Sequence, residues 1–162
     1  MKHLNIKVLQ DLNVMHNTID LVSLDDLTAY EIISNNYSLK NLSLKVIYNS
    51  MIFKRNYVVI CEKDKEQITN YIPSHWGIIC IGLKIEIIRE PSRNTDYHFE
   101  HSLNILTKED LVQLCKEKEI QGYSKYRKPH LVKYISSLVD QERIESYVIQ
   151  KLNENRNEKE VS

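Results

Sequence analysis

Two compact runs constrain the fold more than anything else in the chain. Asn56-Tyr-Val-Val-Ile-Cys61 and Trp76-Gly-Ile-Ile-Cys-Ile81 are short, apolar and rich in β-branched residues, and so read as buried strands. Between them, Glu62 to Ile72 is charged and helical in pattern and stops before Pro73, a residue that restricts the one before it. Strand, helix, strand then requires a sheet with helices packed on it, an α/β layer architecture. Gly82 permits a turn into Lys84-Ile-Glu-Ile-Ile88, whose alternation suits an edge strand. Upstream, Thr18 to Leu24 and Leu27 to Ser34 flank Asp25-Asp26, a pair that favours a turn, so these segments form a β-hairpin. From Leu39 the apolar positions Leu39, Leu42, Val46, Met51 and Phe53 recur at mostly helical spacing, which predicts a helix of about four turns. The order is β-β-α-β-α-β-β in a mixed sheet.

Pro91 to Asp96 is a linker, with Pro, Ser, Asn, Thr and two charges in six positions. Beyond it the pattern is all helical. Thr107-Lys-Glu-Asp110 starts a helix with a capping residue and first-turn acids, and Leu111, Leu114 and Cys115 give it a face. A second helix begins near Arg127-Lys-Pro129 and carries Leu131, Val132, Tyr134, Ile135 and Leu138, and a third runs from Gln141 to about Leu152. The expected organisation is an α/β domain over residues 1–96, a small helical unit over 97–152 and a disordered polar tail over 153–162.

Charge narrows the function classes. The 22 Lys and Arg balance 22 Asp and Glu over 162 residues, which excludes a wholesale polycation, so any nucleic-acid surface is a local patch. Three cysteines, Cys61, Cys80 and Cys115, are far apart and form no CxxC pair, which fits a reducing compartment. No signal-like apolar core opens the chain, and nothing approaches the roughly 18 apolar residues of a spanning helix, so a cytoplasmic protein without membrane contact is expected. Neither a P-loop nor a GxGxxG is present, and nucleotide-driven chemistry has no support.

Chemistry gathers first on the hairpin. Asp20 lies on its first strand and Glu31 on its second. Carboxylates on adjacent strands can converge on one Mg2+, which takes one or two protein carboxylates and keeps waters for reaction. The same spacing also suits two ordinary polar residues on a solvated face. Asp20, Tyr30-Glu31-Ile32-Ile33-Ser34, the amphipathic helix Leu39 to Phe53, Tyr57-Val58-Val59, Pro73-Ser74-His75-Trp76-Gly77-Ile78 and Ile88-Arg89-Glu90-Pro91 occur in that order. Together they resemble a family of short bacterial proteins with the PD-(D/E)xK nuclease fold, from about residue 18 to 138, with a helical tail similar to Thr107 to Leu138. The resemblance implies a restriction-endonuclease-like mixed sheet flanked by helices, Asp20 and Glu31 as ligands of Mg2+, and a Lys two residues after the Glu.

That Lys position is Ile33, which can neither orient water nor stabilise a phosphoryl oxygen. Acids that follow the Ser in the family are replaced by Asn35, Asn36 and Tyr37, and the family's leading helix is shortened, leaving Asp11 as the substitute for its acid. Aligning Phe53 with the family's helix-terminal Phe puts Lys45 where the family tends to carry Gln. In related folds a helix-borne lysine can replace the strand lysine, so Lys45 is the candidate cation, though its place between Leu44 and Val46 also suits a solvated helix residue.

From Lys116 to Lys133 six basic residues stand against two acidic ones. Gly122-Tyr123-Ser124-Lys125-Tyr126-Arg127-Lys128 between two helices is similar to the helix-extended-loop-helix motifs of SAP-like and Rho-amino-terminal-like modules. The resemblance implies phosphate contacts by Lys125, Arg127, Lys128 and the helix N–H groups, with Tyr123 and Tyr126 able to stack on bases. A charged loop facing water is the plainer alternative. His98, Glu100 and His101 lack the HExxH spacing and a third ligand, and Trp76 is expected in the core or the wall of the site. Two functions remain open: a Mg2+-dependent DNA endonuclease with an altered active site, or an inactive pseudo-nuclease of a phage or mobile element that binds nucleic acid or a protein as an inhibitor or scaffold.

Overall fold

Six strands form one open sheet in the order of the chain: β1 (Val8–Val14), β2 (Asn17–Ser23), β3 (Thr28–Ile32), β4 (Arg55–Cys61), β5 (Gly77–Ile81) and β6 (Ile85–Arg89). The computed structural model describes residues 7–34 and 42–161. The pairings β1–β2, β2–β3 and β5–β6 are antiparallel, whereas β3–β4 and β4–β5 are parallel, so the sheet is mixed and mostly antiparallel. A parallel pair needs a crossover, and α1 (Leu42–Ile52) supplies the one from β3 to β4. The residues before Leu42, where the helical pattern begins, lie outside the described residues. The mixed sheet is compatible with a nuclease-like fold.

Burial explains why these segments are strands. In β4, Asn56, Val58 and Ile60 are buried and alternate with half-buried Tyr57, Val59 and Cys61. Val58, Ile60, Ile78 and Cys80 meet Leu42 and Val46 of α1, Ile68 and Ile72 of the second crossover, Ile33 and Trp76 in one core. The fully buried Trp76 indole donates from Nε1 to Ser50 Oγ at 2.9 Å, which ties the end of α1 to the start of β5. Pro91 to Asp96 is fastened rather than loose: Asn94 Nδ2 donates to the carbonyls of Ser50 and Phe53 at 2.7 and 2.9 Å, and the Ser92 N–H donates to His75 O at 3.0 Å.

Three sequence expectations are corrected. The segment read as a shortened leading helix is the strand β1, because Leu9 and Val14 are buried and the chain pairs along β2 from Val8↔Ser23 to Val14↔Asn17. The helix expected over Glu62 to Ile72 is two single 3-10 turns, Glu62–Asp64 and Ile68–Asn70. Ile68 and Ile72 are the residues buried there, with half-buried Tyr71 packed beside them, too few anchors to offset the cost of nucleating an α-helix. The third correction is the tail.

The chain divides into two compact units, Met1–Tyr97 and His98–Ser162. The second contains α2 (Phe99–Ser102), α3 (Lys108–Glu117), α4 (Lys128–Ser136) and α5 (Gln141–Val161). Thr107 caps α3 by accepting from the Asp110 N–H at 3.1 Å, while the Asp110 carboxylate accepts from the Thr107 N–H at 2.9 Å. α5 does not stop at Leu152; it continues through most of the tail expected to be disordered. Its extension is rich in residues that tolerate a helix, and Gln150 and Lys151 both reach Glu154, at 2.9 and 2.8 Å. Among the described residues no helix is long and apolar enough to cross a membrane, and the three cysteines are free.

Candidate functional site

One step beyond the last paired residues of β2 and β3, Leu21 and Tyr30, come Asp20 and Glu31. The ladder opens there and the Asp20 carboxylate fills the gap: its Oδ2 accepts from the Ile32 N–H at 2.7 Å, which fixes the side chain against β3. Glu31 is almost fully buried, its side chain 1% exposed beneath α1. The Lys45 ammonium descends from α1 between the two acids, 3.1 Å from Asp20 Oδ1 and 2.5 Å from Glu31 Oε2. Both carboxylates therefore meet at one point, occupied by a cation carried on the helix.

Position 33 explains why the charge comes from there. Ile33 is buried in the core with Leu42 and Val46, a place that an aliphatic side chain fills and an ammonium could not enter unpaired. Asn49, one turn after Lys45 on the same face of α1, donates from Nδ2 to Glu31 Oε1 at 2.7 Å and accepts from Asn17 Nδ2 of β2 at 2.9 Å. Each of the four carboxylate oxygens thus has a donor. Burial pushes the Glu31 carboxyl up to about 7, with the Asp20 charge adding to the rise and Lys45 and Asn49 opposing it. Burial works against the Lys45 ammonium, yet Glu31 and Asp20 outweigh it and raise its pKa.

Asp20 opens onto a shallow cleft of about 480 Å³ lined also by Gln10, Asp11, Leu21, Ile32 and Ser34. Asp11 stands on β1 between the pairs Gln10↔Leu21 and Leu12↔Ile19, across from Asp20, in the left-handed region at φ 50°. Asp adopts that conformation more readily than most residues. Two converging carboxylates are a donor set that Mg2+ takes from protein, and here the Lys45 ammonium stands at the point where they meet. No group of three His, Cys, Asp or Glu gathers to hold a metal among the described residues.

The basic segment lies in the second unit. Gly122 at φ 72° turns the chain after α3 into the 3-10 turn Tyr123–Lys125, and Arg127 stands at the N-cap position of α4 without a side-chain capping bond, with Pro129 in the first turn. Lys125 and Arg127 are exposed. Lys128 points elsewhere: its Nζ donates to Asn104 O at 3.1 Å, and burial lowers its pKa. The Tyr126 ring packs on Tyr134 with centroids 4.8 Å apart, beneath the Lys125 ammonium at 5.1 Å, and Tyr123 is half-buried.

A family model described as bacteriophage P4 protein cII matches residues 6–161, nearly the whole chain. The chain belongs to that family. No curated protein and no solved structure matches it. The match spans both units of this cII-family chain.

Two residues of the candidate site escape sequence reasoning, Asn49 and Asn17. An Asn on a helix face is usually solvated, and the signal in hindsight is only its spacing of four from Lys45. Because Asn49 is fully buried, Asn49→Leu is expected to leave Glu31 Oε1 without a donor and to lower stability by about 1–3 kcal/mol in urea denaturation. A loss below about 0.5 kcal/mol, the range of neutral surface changes, would contradict the role given to this bond.

Proposed function

We propose that the sheet unit is a Mg2+-dependent phosphodiesterase of the PD-(D/E)xK kind, acting on nucleic acid in the cytoplasm, with its lysine delivered from α1 instead of the strand. The observation that carries this reading is the meeting of Lys45 Nζ with both Asp20 and Glu31, on the residues that the resemblance marks as ligands. Mg2+ held by Asp20 and Glu31 would supply Lewis-acid polarisation of the scissile phosphate. The chain's own groups do the rest. Ile32 N–H and Asn49 hold the carboxylates in place, and the Lys45 ammonium stabilises the negative charge that gathers on the phosphoryl oxygens. The cleft beside Asp20 is the path by which a phosphate reaches them.

A second reading is favoured by the same carboxylates. All four oxygens already have protein donors, so the cluster is complete as an ion-paired structural element, and the chain would then be an inactive phage protein that binds nucleic acid or a protein partner. Turnover separates the two. Purified protein with Mg2+ should cut DNA, and Asp20→Ala and Glu31→Ala should not; Mg2+-independent binding with no cutting by any preparation would favour the second reading.

Nucleic-acid contact is assigned to the exposed Lys125 and Arg127 at the start of α4, with Lys128 left to its structural bond. Lys125→Glu with Arg127→Glu is expected to weaken duplex binding and to flatten the slope of log affinity against log salt by about 2, since each neutralised phosphate contributes about 0.9. Fluorescence titrations at several salt concentrations read this directly. An unchanged slope would move the contact to another surface.

A further inference from the structure

A second polar cluster ties the last turn of α1 to the chain entering β5. Its centre is the hydroxyl of Ser50, a residue only 3% exposed. Ser50 Oγ meets the Trp76 indole Nε1 at 2.9 Å and the His75 Nε2 at 3.2 Å, and among the described residues it has no third hydrogen-bond partner. The indole N–H can only donate. The hydroxyl hydrogen therefore has one acceptor within reach, His75 Nε2, and a ring nitrogen that accepts carries no proton. His75 is thus neutral, with its hydrogen on Nδ1.

Protonation undoes this arrangement. An imidazolium carries hydrogen on both nitrogens, so Nε2 turns from acceptor to donor against an oxygen that already receives the indole. Ser50 Oγ has lone pairs for both donors, but its own hydrogen then loses its acceptor in a buried place, which is costly. Burial of the half-buried ring lowers its pKa, Asp96 of the segment after β6 opposes this, and Arg89 of β6 adds to it. Arg89 is fixed nearby by its bonds to the Pro73 and Trp76 carbonyls at 2.9 and 2.7 Å.

The pair is also held through its backbone. The Ser92 N–H donates to the His75 carbonyl at 3.0 Å and Asn94 Nδ2 to the Ser50 carbonyl at 2.7 Å. Ser50, His75 and Asp96 are the residue types of a hydrolytic triad, but a buried hydroxyl that receives the indole is not placed to attack a substrate. The cluster fastens one element to another.

We propose that His75 is an acid-sensitive latch on α1: neutral, it takes the Ser50 hydroxyl hydrogen and holds the helix end at the start of β5, and protonated, it lets that end go. The helix so held carries Lys45 and Asn49, and the latch does not depend on whether the site they serve cuts. A histidine whose pKa is lowered by folding contributes stability above about 6.5, and that stability is lost as pH falls through the folded pKa. Glu31, pushed up to about 7, has the opposite sign and gains stability over the same fall, so the latch is read as the difference between wild type and His75→Gln. Glutamine can accept the Ser50 hydrogen without titrating.

Heteronuclear NMR of the full chain from about pH 8 to about pH 5 tests this, with the histidine rings assigned through the backbone. The single Trp gives one indole N–H resonance, which reports the bond to Ser50. The neutral His75 ring is expected to carry its proton on Nδ1 and to titrate below 6.5, and the indole resonance is expected to move with the same midpoint. In urea denaturation the wild-type folding equilibrium constant should fall more than that of His75→Gln on acidification, by about tenfold for each unit by which NMR places the folded pKa below 6.5. The NMR measurements need only the wild-type chain, so they decide the matter even if the variant does not fold. A neutral ring protonated on Nε2 overturns the proposal. So does a His75 midpoint at or above 6.5, an indole resonance that ignores the His75 titration, or an equal acid loss in wild type and variant.

Discussion

Lys45→Met is expected to slow Mg2+-dependent cleavage by about 10²–10³ in kcat, the effect of removing one preorganised charge aimed at a transition state. Methionine keeps the length and apolar stem of the side chain, so the space beneath α1 stays filled. The same change removes the only cation that touches the buried Glu31 carboxylate among the described residues. Breaking a buried pair costs about 3–5 kcal/mol when both partners are fully enclosed; Lys45 and Asp20 are 19% and 28% exposed, which lowers the expected loss to about 2–4 kcal/mol. Single-turnover cleavage and urea denaturation separate the two effects. Full activity in a folded Lys45→Met protein would remove Lys45 from the catalytic group.

Trp76→Ala is expected to have the largest effect on stability, about 3–5 kcal/mol by urea denaturation, the range for deleting a large aromatic from a packed core. The indole is fully buried, and its Nε1–H bond to Ser50 Oγ anchors the last turns of α1, the helix that carries Lys45 and Asn49. His75 Nε2 lies 3.2 Å from the same oxygen, so the loss would spread along the seam between α1 and β5. Trp76→Phe keeps most of the apolar volume and loses the hydrogen bond, and a smaller loss of about 1–2 kcal/mol is expected. Equal losses for the two variants would mean that the bond to Ser50, and not the filled volume, holds the helix down.

The parts of the fold that were legible in the sequence are those in which local chemistry and burial agree. Asp25-Asp26 between two apolar segments marks the turn of the β2–β3 hairpin, and the β-branched runs of β4 and β5 are buried as their composition implies. β1 was hidden because Gln10 and Asp11 interrupt its apolar residues, and Asp11 bends the strand at φ 50°. The crossover after β4 carries a helical charge pattern but only two buried anchors, and periodicity alone does not measure how much surface a segment will bury.

The site shows the same division. The hairpin register makes neighbours of Asp20 and Glu31, but that spacing suited plain solvated residues equally well, and it was the family resemblance that singled them out together with Lys45, which α1 brings to them. Asn17 could not be read in advance, since its role depends on Asn49, which lies 32 positions away. Lys128 looked like its neighbours Lys125 and Arg127, yet its partner is a backbone carbonyl 24 positions earlier that leaves no mark in the sequence.

The central claim is that Asp20, Glu31 and Lys45 form a cutting site and not merely an ion-paired knot. A plasmid-nicking time course with wild-type protein and Asp20→Asn purified side by side, each in Mg2+ and in chelator, tests it most directly. The account predicts nicking by the wild-type protein in Mg2+ alone, stopped by chelator and absent from Asp20→Asn. Equal nicking by both proteins, or none by a folded wild-type protein in Mg2+, would contradict it.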